Sequence, residues 1–304
     1  MAGSTKKVIY AALAGNSLIA VTKFAAAAMT GSSAMFSEGI HSVVDTGNQV
    51  LLLHGIRKAR KPPSARFPFG HGKEIYFWSF AVAILIFAVG SGVSLYEGII
   101  HTIHPEPMGN PLINYMVLGL ALLFEGIAWY FALTEFSKVK GKLGYIEAVQ
   151  RGKDPTMFVV LFEDSAAMLG IIVAFAGVFL VDHTGILIFD GIASVIIGLI
   201  LGGTAVWLAY ETKGLLIGES ANRQVIEGIR GIILQYDGID NINEVLTMHM
   251  GPDFVLVNVS IDFRDDIPAG DLENMIAEMD ARIKERYTTV KRVFVEAESR
   301  RRET

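Results

Sequence analysis

Long apolar stretches, each broken by small residues and a few isolated charges, alternate with short polar connections over the first two thirds of the chain. A helix needs about 20 mostly apolar residues to cross roughly 30 Å of hydrocarbon. Six segments meet that requirement: 8–29, 34–56, 76–100, 112–136, 158–181 and 186–210. Gly, Ser and Ala recur in them, as in helices that pack closely against protein neighbours. After Thr212-Lys213-Gly214 the period changes. Val225, Ile226, Ile229, Ile232 and Ile233 mark one side of a helix over 223–236. Segments 245–249 and 255–263 alternate like strands around a Gly251-Pro252-Asp253 turn. Leu272, Met275, Ile276, Met279 and Ile283 stripe a helix over 269–287, and 290–297 reads as a last strand. The order αββαβ suits a small sheet with helices on one face. The pattern therefore predicts an α-helical membrane protein with six transmembrane helices over 1–213, followed by an α+β domain over 214–304.

Charge adds an orientation. The connection after the second span carries Arg57, Lys58, Arg60, Lys61, Arg66 and Lys73, and the one after the fourth carries Lys138, Lys140, Lys142, Arg151 and Lys153. Segments 30–33, 101–111 and 182–185 have no Lys or Arg. Positive loops stay on the cytoplasmic side, which puts both termini there. From Gly218 onward, 11 basic residues face 17 acidic ones, which argues against nucleic acid as a partner. Cys is absent, so any transition metal must be held by His, Asp and Glu.

Ionisable groups inside the spans carry the chemistry. A charge in mid-bilayer costs several kcal/mol on insertion scales, so such groups pair, line a wet cavity or bind an ion. The second span holds Glu38, His41 and Asp45. His41 and Asp45 are four apart and share a helical face, which Glu38 extends. One imidazole and one carboxylate make half of a tetrahedral site for a divalent ion. The fifth span offers Glu163 and Asp164, which as helical neighbours point about 100° apart, so one aims at a site and the other flanks it. A structural His–Asp tie between helices, and a helix-end acidic pair at the interface, are the competing readings of these two clusters. Glu125 in the fourth span fits a supporting, proton-relay or packing role, Lys23 a snorkelling or carboxylate-paired one, and Asp190 a cap at the start of its own helix.

Several strings in one order resemble the cation diffusion facilitator family across nearly the whole chain. They are Thr30-Gly31-Ser32, His41-Ser42-Val43-Val44-Asp45, Phe69-Gly70-His71-Gly72-Lys73, Tyr96-Glu97-Gly98, His104-Pro105-Glu106-Pro107, Asp190-Gly191 with Ala193-Ser194, and Gly218-Glu219-Ser220. The Glu-Asp-Ser-Ala-Ala run from Glu163 and the stretch 210–221 look most like the branch containing mitochondrial zinc transporters of animals. The resemblance implies a homodimer, a ferredoxin-like cytoplasmic domain, and export of zinc or a related divalent ion in exchange for protons. His41 and Asp45 match the family's second-span ligands, and Asp164 its fifth-span Asp. The family's usual His or Asp four residues earlier is Val160 here, so either Glu163 or a water completes the site. His71 keeps the loop histidine without its partner carboxylate. His249 is the single His of the tail, with Asn243, Ser260 and Glu296 where relatives often carry His.

The expected function is proton-coupled efflux of a divalent metal, zinc first, by alternating access. The expected metal residues are His41, Asp45, Asp164 and Glu163, with Glu38, His71, Glu125 and His249 as accessory candidates. The expected partners are the ion, protons, the bilayer and a second copy, with no cofactor beyond the transported ion. The membrane is the inner membrane in a bacterium or an organelle membrane in a eukaryote. A cation channel and a metal sensor without transport are the rival classes. An enzyme is disfavoured, since the chain has no HExxH motif, nucleophile elbow or Gly-rich phosphate loop.

Overall fold

The computed structural model describes residues 2–299, with side chains from Asn16 onward except that of Val139. Its residues fall into two compact units. The first runs to Ile56 and adds Phe77–Gln150 and Pro155–Thr212. The second combines Arg57–Tyr76, Arg151–Asp154 and the chain from Lys213 onward.

The first unit is helical. α1 spans Ala2–Thr30 and α2 spans Ser33–Ala59. α3 (Glu74–Leu85) and α4 (Gly92–Ile103) are joined without a break by a π-helical segment, Ile86–Ser91, that no periodicity announces. α5 (Pro111–Lys140) starts with Asn110, whose side chain accepts from the Leu112 amide, and with Pro111 in the first turn, where its missing N–H is harmless. A short α6 (Tyr145–Arg151) precedes α7 (Pro155–Thr184), and α8 covers Ile188–Ile217. Four stretches, Glu74–Ile103, Pro111–Lys138, Pro155–Thr184 and Ile188–Ile217, are long and apolar enough to cross a membrane. α1 and α2 are of similar length, at 29 and 27 residues. α2 is less apolar because its buried face is polar: Ser37, Glu38, His41, Ser42, Asp45 and Asn48 all point inward.

Close helix approach explains the small residues. A side-chain carbon on Gly98 of α4 would lie 2.6 Å from the Val195 amide nitrogen of α8, and one on Gly191 of α8 would lie 2.6 Å from that of Thr102. Hydroxyls then reach across the contact. Ser91 donates to the Gly198 carbonyl at 2.8 Å, and Ser194 to the Ser94 carbonyl at 2.9 Å. On its other side, Ser194 shares a hydrogen bond with Ser37 of α2. Asp190 departs from expectation. Its carboxylate accepts from the Ser32 hydroxyl at 2.6 Å and from the Ser33 amide, so it caps the start of α2 from α8 rather than its own helix. Orphan amides at a helix start attract an acceptor from whichever element supplies one. α5 packs on α1 and α7, with Trp129 Nε1 donating to Ser165 Oγ at 2.9 Å.

In the second unit, α9 (Arg223–Ile233), β1 (Ile239–Gly251), β2 (Phe254–Phe263), α10 (Ala269–Arg286) and β3 (Val290–Ala297) follow the αββαβ order. β2 is central, antiparallel to β1 and parallel to β3. Val255, Val257, Val259 and Ile261 of β2 meet Ile229 and Ile233 of α9 and Met279 and Ile283 of α10 in one core. β1 begins earlier than its alternation suggests because two register irregularities, at Ile239/Asn241 and Ile242/Glu244, displace its first apolar positions. The connection that carries His71 lies on this unit: a side-chain carbon on Gly72 would come within 2.3 Å of the Met250 carbonyl oxygen.

Candidate metal centre

The polar face of α2 divides into two clusters. Toward its Ser33 end, the Lys23 ammonium is fully buried. It donates to Glu38 Oε2 at 3.0 Å, Glu125 Oε1 at 2.9 Å and Ser42 Oγ at 2.9 Å. One tethered cation thus joins α1, α2 and α5. Of the two readings open for Lys23, pairing holds, and Glu38 and Glu125, two of the accessory candidates, are its partners. One oxygen, Glu38 Oε1, has no hydrogen-bond partner among the described residues and points at the space left by Gly170 of α7.

His41 lies between Glu38 and Ser42, and Asp45 about one turn beyond His41; neither pairs with a Lys or Arg among the described side chains. His41 is fully buried and Asp45 nearly so. Their closest approach, Nδ1 to Oδ1, is 3.4 Å, and neither ring nitrogen of His41 makes a hydrogen bond among the described residues. A neutral imidazole offers one donor and one acceptor, so both are unmet here. The Asp45 and Glu163 carboxyl groups lie against each other across the α2–α7 contact. Carboxylates that face each other favour a cation between them. Asn48, one turn beyond Asp45, donates through Nδ2 to Glu163 Oε1, while its own Oδ1 is buried without a partner.

The four expected residues are thus placed on two facing helices. Of the adjacent acids, Glu163 is buried and meets α2, while Asp164 is half-buried beside it. Side chains are not drawn into a ready chelate: among the described residues no group of three or more His, Asp or Glu is close enough to hold a metal ion. Asn48 is not among the sequence-predicted site residues because it carries no charge and so costs little to place in a span. The signal was present in its spacing, since His41, Asp45 and Asn48 repeat at one helical face.

The remaining accessory candidates belong to the second unit. His71 packs its ring on Phe67 at 4.6 Å, and its Nδ1 is buried without a partner among the described residues. His249 Nδ1 lies 3.4 Å from the Gly251 carbonyl, and burial pushes its pKa down. Asn243, Ser260 and Glu298 satisfy one another: Asn243 Nδ2 donates to Ser260 Oγ at 3.0 Å, and Ser260 Oγ to Glu298 Oε2 at 2.8 Å. This hydrogen-bonded network includes Asn243 and Ser260, two of the positions compared above with histidines of the family.

Comparison with known proteins agrees with this anatomy. The family model described as the cation efflux transmembrane domain matches residues 9–217. The mitochondrial proton-coupled zinc antiporter SLC30A9 of Xenopus laevis is 34% identical over 84% of this chain and 46% of its own length. Metal tolerance protein C4 of Arabidopsis thaliana is 30% identical over 85% of this chain and 57% of its own. The manganese efflux system protein MneP of Bacillus subtilis is 24% identical over 96% of this chain and 95% of its own. The chain spans about half the length of the zinc antiporters it matches.

Proposed function

We propose that this chain, which belongs to the cation efflux family, is a proton-coupled exporter of a divalent transition metal, with zinc as its first substrate. It is an integral membrane protein. In this reading α1 and α2 join the four apolar stretches to make six spans, and the basic connections place both termini in the cytoplasm. The tail is a ferredoxin-like domain, and two copies form the working unit. The domain boundary falls near residue 213.

One observation carries the reading: a fully buried imidazole with both nitrogens unmet beside carboxyl groups crowded across two helices. Burying such groups without partners is costly, and a doubly charged ion would engage the imidazole lone pair and the carboxylate oxygens together, leaving only the other ring N–H to find an acceptor. His41, Asp45 and Glu163 supply one nitrogen and two or more oxygens, and Asp164 stands next to them. Borderline-soft zinc accepts this mixture. Metal binding requires neutral imidazole and ionised carboxylates, so protons compete for the same atoms. Exchange of metal for protons then follows from the ligands themselves, and rocking of α2 against α7 exposes them to either side in turn. The names of the zinc antiporters and of the manganese exporter support this class of cargo.

The test is uptake of zinc, manganese and cobalt into proteoliposomes of the purified protein under two opposite imposed pH gradients. Saturable uptake that grows when the lumen is acidic is the expected result. Uptake indifferent to the gradient would indicate a channel, and its absence for every ion would reject transport.

A further inference from the structure

The polar face of α2 continues past the expected ligands. Asn48 is 1% exposed, lies three residues after Asp45, and reaches across to α7. Its Nδ2 donates to Glu163 Oε1. Glu163 therefore has one oxygen fixed by a neutral donor while its carboxyl group rests against that of Asp45. Asn48 Oδ1 has no partner among the described residues. An amide placed for packing alone, in a site this short of donors, would be replaced at less cost by an apolar side chain of the same shape.

We propose that Asn48 is a positioning residue for metal binding: it holds Glu163 in the orientation that presents the carboxylate to His41 and Asp45. The inference rests on the reading of Glu163 as a ligand. It also accounts for a site that carries Val160 where a fifth-span nitrogen or oxygen donor is expected. Glu163 lies three residues further along α7, so its carboxylate approaches α2 from a different level of the helix. A long, rotatable side chain substituting for a short fixed one needs a second group to fix its direction. Outer groups that orient a ligand typically contribute 10–100-fold in metal affinity.

A double-mutant cycle tests this on the purified chain, with the zinc dissociation constant read by calorimetric titration. Asn48→Leu keeps the shape and removes the donor, and is expected to weaken zinc binding by roughly 10–100-fold. Glu163→Gln weakens it at least as much. The double variant binds no more weakly than Glu163→Gln alone, because Asn48 acts through Glu163. An unchanged dissociation constant in Asn48→Leu, or losses that multiply in the double variant, overturns the proposal. Should Asn48→Leu not survive purification, Asn48→Gln and Asn48→Ala replace it. The glutamine amide can still donate and retains more affinity than alanine, which shows the loss; equal affinities in the two overturn the proposal. Failure of the wild-type chain to bind zinc at all is a separate outcome and rejects the donor set itself.

Discussion

Two clusters on one face of α2 hold nearly the same chemistry and resolve it in opposite ways. In the cluster around Lys23, two carboxylates and a hydroxyl surround an ammonium at 2.9–3.0 Å. In the cluster around His41, a carboxyl pair and an imidazole face one another with no cation among the described side chains. The first is an ion pair between helices in which the ammonium is fully engaged and one carboxylate oxygen, Glu38 Oε1, has no partner among the described residues. The second has unmet acceptors of the kind a divalent ion satisfies. Carboxylates in a membrane helix therefore do not by themselves mark a transport site; what marks it is the absence of a tethered counter-ion.

The comparison can be broken most forcefully at Lys23. Lys23→Met leaves the buried Glu38 and the partly buried Glu125 uncompensated and is expected to cost about 3–5 kcal/mol of stability. Thermal unfolding of the purified protein measures it, and Lys23→Met/Glu38→Gln/Glu125→Gln should recover most of the loss. The mirror experiment puts a tethered cation into the other cluster. His41→Lys gives Asp45 and Glu163 an ammonium, so zinc uptake is lost while the protein assembles as before. Uptake retained by His41→Lys would erase the distinction between the clusters. His41→Ala and Asp45→Ala likewise lose uptake without loss of assembly.

A smaller effect checks the frame that holds α2. Asp190→Ala removes the cap that α8 places on Ser32 and Ser33, for an expected loss of roughly 0.5–2 kcal/mol in thermal stability. The smallest effect lies outside the spans. Burial holds His249 below its usual pKa, so the folded tail disfavours a proton that the unfolded chain accepts. Stability from this group is present above about pH 6.5, the unfolded value, and declines as pH falls below it. His249→Gln should flatten that part of the stability profile and leave zinc binding unchanged, which separates tail titration from competition at the metal.

Much of this was legible in the sequence. The long helices and the αββαβ tail follow from periodicity, and His41, Asp45 and Glu163 follow from the cost of charge in apolar surroundings. What was not legible depends on partners distant in the chain. Lys23 and Glu125 are 102 positions apart, and no spacing rule joins them. Asp190 caps a helix that starts 157 positions earlier, whereas local pattern assigns a cap to the helix it precedes. Asn48 carries no charge, so the argument from membrane insertion cost passes over it. The π segment at Ile86–Ser91 has the same apolar composition as its flanks and leaves no mark in hydropathy.

X-ray absorption at the zinc edge reports on the central claim most directly. Zinc-loaded wild-type protein should show a shell of nitrogen and oxygen only, near 2.0–2.1 Å, with the outer scattering of one imidazole. That imidazole signature should vanish in His41→Ala and persist in Lys23→Met/Glu38→Gln/Glu125→Gln. A spectrum unaltered by His41→Ala, or one altered by the triple variant instead, would put the metal in the wrong cluster and contradict the account.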